Sequence, residues 1–74
     1  MTRLPRITGQ RLVAALRKAG FEVIRVKGSH HFLRHPDRRH TVVPVHRGET
    51  IGPGLMSQIL RDCKMAQEEL IELL

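Results

Sequence analysis

An apolar stripe at helical spacing, Leu12, Ala15, Leu16 and Ala19, stops at Gly20, and the stretch after it is rich in β-branched side chains. The hydrophobic period changes there from that of a helix to that of a strand, so one glycine separates the first two elements. Residues 8 to 19 are expected to form an amphipathic helix, with Thr8 as N-cap and Arg11, Arg17 and Lys18 outside the stripe. Gly20 suits the left-handed residue that closes a helix, and Phe21 follows where it can touch the last turn.

From Phe21 to Lys27, Val23, Ile24 and Val26 argue for a strand, and alternation puts Ile24 and Val26 on one face with Arg25 and Lys27 on the other. Gly28-Ser29 supplies a turn, His30 to His35 reads as the returning strand, and Pro36-Asp37-Arg38-Arg39 reads as the next turn. Residues 40 to 46 form a third strand in which Pro44, lacking an N–H for the ladder, belongs near an end or on an edge. Arg47 to Gly54 is a glycine-rich loop leading into a helix with Pro53 near its first turn and Leu55, Ile59, Leu60 and Cys63 as its stripe. Gln67 to Leu74 opens with acidic residues, which suit a helix N-terminus; its Leu70, Leu73 and Leu74 need cover from the body of the domain or from another chain. The expected class is α+β: a helix, a three-stranded antiparallel sheet, a helix and a short extra C-terminal helix, in a single domain over residues 1–74.

Thirteen Lys and Arg against seven Asp and Glu give a net charge of +6, a field that attracts polyanions: RNA, DNA, an acidic protein or anionic lipid. No stretch approaches the roughly 20 apolar residues that span a bilayer, and Met1-Thr2-Arg3-Leu4-Pro5 carries no apolar export segment, so the expectation is a soluble, cytoplasmic protein with no membrane partner. Cys63 is the single cysteine and is expected to fill the core as an inert thiol. Only Phe21 and Phe32 are aromatic, which leaves few platforms for stacking bases; phosphate contacts and shape are expected to carry any nucleic-acid binding.

The chemistry concentrates at Lys27-Gly28-Ser29-His30-His31-Phe32. An imidazole, with an unperturbed pKa of about 6.5, takes or gives a proton near neutral pH. Strand alternation places His30, Phe32 and Arg34 on one face and His31, Leu33 and His35 on the other, so the two adjacent histidines cannot address one phosphate. Lys27, Arg34, Arg38 and Arg39 are candidates for phosphate contact, the plainer alternative being a solvated basic surface. Gly28 and Ser29 position the turn, the glycine serving a positive φ or a close approach of backbone to phosphate. His30, His31, His35, His40, His46 and Cys63 contain no Cys-x₂-Cys or His-x₃-His pair, so neither a metal nor another cofactor is expected.

Gly20-Phe21 before a strand, Gly28-Ser29-His30-His31 at a hairpin turn, His35-Pro36 ending the second strand, Val43-Pro44 with His46 on the third, and Ile59-Leu60-Arg61 in the following helix together resemble the HicA family of toxins, over nearly the whole chain. The resemblance implies a double-stranded-RNA-binding-domain-like fold and an mRNA interferase, a metal-independent endoribonuclease acting on mRNA and neutralised by a HicB-type antitoxin. It also implies that the histidine after Gly-Ser, His30 here, is catalytic; Lys27, Gly28, Ser29, Arg34, Arg38 and Arg39 are the candidates for RNA contact read from the residues around it. Members of that group often stop soon after the second helix, so residues 67–74 fall outside what the resemblance describes. The alternative is a non-catalytic double-stranded-RNA-binding module, which would bind through the start of the second helix; Gly52 to Ser57 lacks the lysine cluster such a module needs. A DNA-binding adaptor is disfavoured, because no helix exposes several base-reading polar residues on one face.

Overall fold

The computed structural model describes residues 4–74; residues 1–3, the start of the segment read above for an export signal, lie outside them. Among the described residues the chain forms α1 (Gly9–Lys18), β1 (Glu22–Lys27), β2 (His30–Arg34), β3 (His40–Pro44), α2 (Pro53–Asp62) and α3 (Gln67–Leu73). The strands make an antiparallel sheet in the order β1-β2-β3. This succession of a helix, a three-stranded meander and further helices is the double-stranded-RNA-binding-domain-like arrangement. No helix among the described residues is long and apolar enough to cross a membrane.

The ends of α1 follow from its flanking residues. Thr8 Oγ1 accepts a hydrogen bond from the Arg11 N–H at 3.2 Å, occupying a donor that the first turn leaves free. At the other end Gly20 adopts φ +102°. Its N–H donates to Arg17 O at 3.0 Å and that of Phe21 to Leu16 O at 3.1 Å, the paired bonds of a Schellman closure. Phe21 is thereby turned into the core.

One face of the sheet is covered by helices. Leu12 and Leu16 of α1, Leu33 and Val43 of the sheet, Met56 and Ile59 of α2, Cys63 at the end of α2, and Leu70 of α3 are all fully buried, each large apolar side chain stabilising by about 1.5–3 kcal/mol. The buried position on α2 is Met56; Leu55, expected in the stripe, is exposed. The observed stripe of 56, 59, 60 and 63 has the spacing i, i+3, i+4 and i+7. Thr41, also buried, donates from Oγ1 to Asp62 Oδ2 at 3.0 Å, and Gln58 Nε2 donates to Asp62 Oδ1 at 2.8 Å, tying β3 to α2.

Two of the three C-terminal leucines are covered from within the chain, whereas Leu74 is 39% exposed. Leu70 is buried and Leu73 partly buried as α3 packs on α1, while Lys18 Nζ donates to Leu73 O at 3.2 Å. Between α2 and α3 the chain repeats the closure seen at Gly20 with a lysine in the glycine position. Lys64 has φ +50°, its N–H donates to Arg61 O at 3.1 Å, and the Met65 N–H donates to Leu60 O at 2.9 Å.

Strand β1 departs from simple alternation. Val23 pairs with Leu33, but the next pair is Arg25 with Phe32, so Ile24 is the extra residue of a β-bulge. Ile24 and Val26, whose β-branched character marked the strand, are 51% and 55% exposed, and Val23 supplies the apolar contact of β1 with the core. Strand β3 ends at Pro44, with His46 beyond it.

Candidate nucleic-acid interface

Cross-strand partners in an antiparallel sheet project to the same side. The register therefore builds the helix-free face in three rows: Lys27, His30 and Pro44; Arg25, Phe32 and Val42; Glu22, Arg34 and His40. Without the bulge, Ile24 would face Phe32 and Val26 would face His30; the extra residue substitutes Arg25 and Lys27 at those places. Among the described strand residues, three permanent cations and two histidines thus share this face with one carboxylate, Glu22. Arg25 was not among the residues singled out from the sequence; a bulge leaves no mark in residue order that identifies it.

His30 opens β2, is exposed, and follows the turn directly. Gly28 has φ +58° there, a conformation that strongly favours glycine, and the space where a Cβ would stand is open. The Ser29 carbonyl accepts from the Val45 N–H at 2.7 Å, which fastens the chain beyond β3 to the turn. His31 points to the helix side, half-buried, with Nδ1 3.3 Å from the same carbonyl. The neighbouring histidines are therefore divided, one presented to solvent and one packed.

His46 lies past Pro44, the partner of His30, and lines a cleft of about 210 Å³ with Pro44, Glu49, Ile51 and Leu55. Extending the pairing from Val45–Ser29 by one residue sets His46 opposite the turn, at the His30 end of the sheet. The cleft also reaches the first turn of α2, which has no side-chain cap and no basic residue.

Arg38 and Arg39 stand at the opposite end of the sheet. Four strand steps of about 3.4 Å separate His30 from Arg34, roughly 14 Å, and the β2–β3 turn lies beyond that. This separation sets Arg38 and Arg39 apart from a phosphate held at His30. Arg39 is moreover engaged within the fold: Nε donates to Asp37 Oδ1 at 3.0 Å and Oδ2 at 2.8 Å, Nη1 donates to Cys63 O at 2.6 Å, and the guanidinium carbon lies 5.1 Å from the centroid of the Phe21 ring. The Arg39 hydrogen bonds hold the Asp37 carboxyl below its ordinary range. His35 meets Phe21 edge-on at 5.1 Å and accepts from the Asp37 N–H at 3.1 Å through Nδ1. Arg38, with φ +80°, borders a separate cleft of about 310 Å³ beside His40 and Lys64. Arg34 shares the face of His30 but reaches a different stretch of any bound strand.

Among the described residues no cluster of three or more His, Cys, Asp or Glu side chains is arranged to hold a metal ion. Cys63 is buried, and loss of hydration, with a smaller contribution from Asp62, pushes its thiol up to about 11. The site is thus a solvent-exposed imidazole beside a lysine on a basic face, able to exchange a proton and hold an anion.

The family model for the HicA toxin of bacterial toxin–antitoxin systems matches residues 9–65, from the first residue of α1 to just past α2. That span contains the whole sheet and the Lys27-to-Phe32 hairpin and stops short of α3. No curated protein matches the chain.

Proposed function

Because this chain belongs to the HicA family of toxins of bacterial toxin–antitoxin systems, we propose that its helix-free sheet face binds messenger RNA and cuts it, with His30 transferring the proton. The observation that carries this reading is the cross-strand pairing of exposed His30 with Lys27 at a glycine turn. A phosphate drawn to Lys27 is held beside an imidazole that makes no side-chain hydrogen bond among the described residues.

Cleavage without a metal proceeds by attack of the ribose 2′-oxygen on the adjacent phosphorus. The O2′–P bond forms, the P–O5′ bond breaks, the 2′-hydroxyl proton leaves to a base, and the departing 5′-oxygen gains a proton from an acid. His30 performs one of these transfers, worth about 10²–10⁴-fold, and Lys27 offsets the charge that grows on the phosphorane oxygens. His46, at the same end of the sheet, supplies a second imidazole for the other transfer. In a toxin–antitoxin pair the toxin meets a cognate antitoxin, here of HicB type, and an acidic partner covering this face would shut off the site. The charge of +6 favours rapid capture by such a partner.

The deciding experiment incubates the purified protein with a structured mRNA in EDTA beside His30→Ala. Cleavage by the wild type that vanishes in the folded variant supports the reading. Equal cleavage by both refutes the role of His30, and absence of cleavage by the wild type in EDTA refutes a metal-independent reaction.

A further inference from the structure

Of the two aromatic residues in the chain, Phe21 is buried in the core and Phe32 is not part of it. Phe32 occupies the middle row of the helix-free face, one row from His30 and one row from Arg34. The guanidinium of Arg25, its cross-strand partner, lies 5.7 Å from the centroid of its ring. Direct stacking of two planar groups needs only about 3.5–4.0 Å, the ordinary carbon–carbon contact distance. Arg25 is thus over the ring without being pressed onto it, and it is exposed.

We infer that Phe32 and Arg25 form a seat for one unpaired nucleobase, so that the RNA entering this site is single-stranded there. The inference rests on the function proposed above and specifies its substrate class. An aromatic ring with a guanidinium above it recognises the π-face of any base, by stacking below and by a cation–π contact above. A base in a duplex has both faces covered by its neighbours and is not available to a ring on a sheet surface. Residues two apart on one strand face are separated by about 6.8 Å, so a base on Phe32 leaves the adjoining backbone beside His30 and Lys27, where cleavage is proposed. Arg34 then meets a phosphate farther along. The flanking cations favour a nucleic acid over an apolar peptide as the occupant, and the uncharged start of α2 argues against the helix-mediated duplex grip of a double-stranded-RNA-binding module. Stacking on a sheet, set aside above for want of aromatic residues, is met by a single ring in the right row.

The test measures fluorescence anisotropy with an unpaired RNA of about ten nucleotides carrying 2′-O-methyl groups, which cannot be cut, and with the same sequence in a blunt duplex. Tighter binding of the unpaired strand is expected. Phe32→Leu, which keeps an apolar side chain but no π-face, should weaken that binding by between about 5- and 150-fold, whereas Phe32→Tyr should retain it; circular dichroism melts show that both variants fold. Equal affinity for duplex and strand, or unweakened binding by Phe32→Leu, overturns the inference. So does a Phe32→Leu protein that binds RNA normally and loses only its antitoxin, which would assign the face to a protein partner. His30→Ala should bind the uncut strand like the wild type. Cleavage that survives in His30→Ala while the Phe32 variants behave as expected sinks the proposed function and leaves the base seat standing.

Discussion

Lys27 and His30 are the last cross-strand partners before the Gly28-Ser29 turn, and both face away from the helices. Their neighbours His31 and Val26 form the next pair, on the opposite side. His30→Ala should lower RNA cleavage by about 10²–10⁴-fold with an unchanged melting temperature, because truncating an exposed side chain opens no cavity. His31→Ala should do the reverse, lowering the melting temperature and affecting cleavage less. A faster loss of activity in the His31 variant would show that the faces are assigned the wrong way round.

Salt dependence separates the cations of the outer face from those at the far turn. Each phosphate contact to a single strand contributes about 0.7 to the slope of log affinity against log salt, so Lys27→Gln with Arg34→Gln should flatten the slope by about 1.4. Arg38→Gln should change it less than either. Titrations of RNA binding over a range of salt concentrations measure this directly, and an unaltered slope in the double variant would return Lys27 and Arg34 to ordinary surface solvation.

Arg39 is expected to matter for stability. Arg39→Gln should be destabilising, since it removes the charged donor to Asp37 and to the Cys63 carbonyl as well as the contact with Phe21. The bonds from Arg39 depress the folded-state pKa of Asp37, so their contribution is present above the unfolded value of about 4 and fades as pH falls through that value toward the folded one. Melting curves of wild type and Asp37→Asn should therefore converge on acidification below about pH 4. A constant gap down to low pH would show that the carboxylate charge is not what the pair uses.

Lys64→Gly should stabilise the fold by about 0.5–1 kcal/mol, because the left-handed conformation at the end of α2 is strained for a residue with a Cβ and free for glycine. Chemical denaturation reads this as a higher midpoint at constant slope. A lower midpoint would mean that the lysine side chain makes a contact whose loss outweighs the relief.

Cys63 should resist alkylation in the folded protein at pH 8, its thiol raised to about 11 and its side chain buried. Modification by iodoacetamide should then follow global unfolding and accelerate with denaturant. Rapid labelling under native conditions would place Cys63 nearer the surface than its packing indicates.

Much of this protein is legible in residue order. The change of period at Gly20, the turn at Gly28-Ser29 and the proline ending β3 are local effects, set by the backbone freedom of glycine and the missing N–H of proline. The opposed faces of His30 and His31 are equally local, since alternation along a strand has a period of two. The bulge at Ile24 is not local. Val23, Ile24 and Val26 look alike in sequence, and only pairing against β2, with Leu33 buried beneath the helices and Phe32 left outside, selects which of them is extra. That single residue puts Arg25 and Lys27 beside Phe32 and His30. Arg39 shows the same limit, because its partners Phe21 and Cys63 lie far away along the chain and meet it only when β3 and α2 close on the core. Periodicity and turn chemistry act between neighbours, whereas register, and with it the choice between a cation that meets a ligand and one that clasps the fold, is decided by which long-range packing buries the most apolar surface.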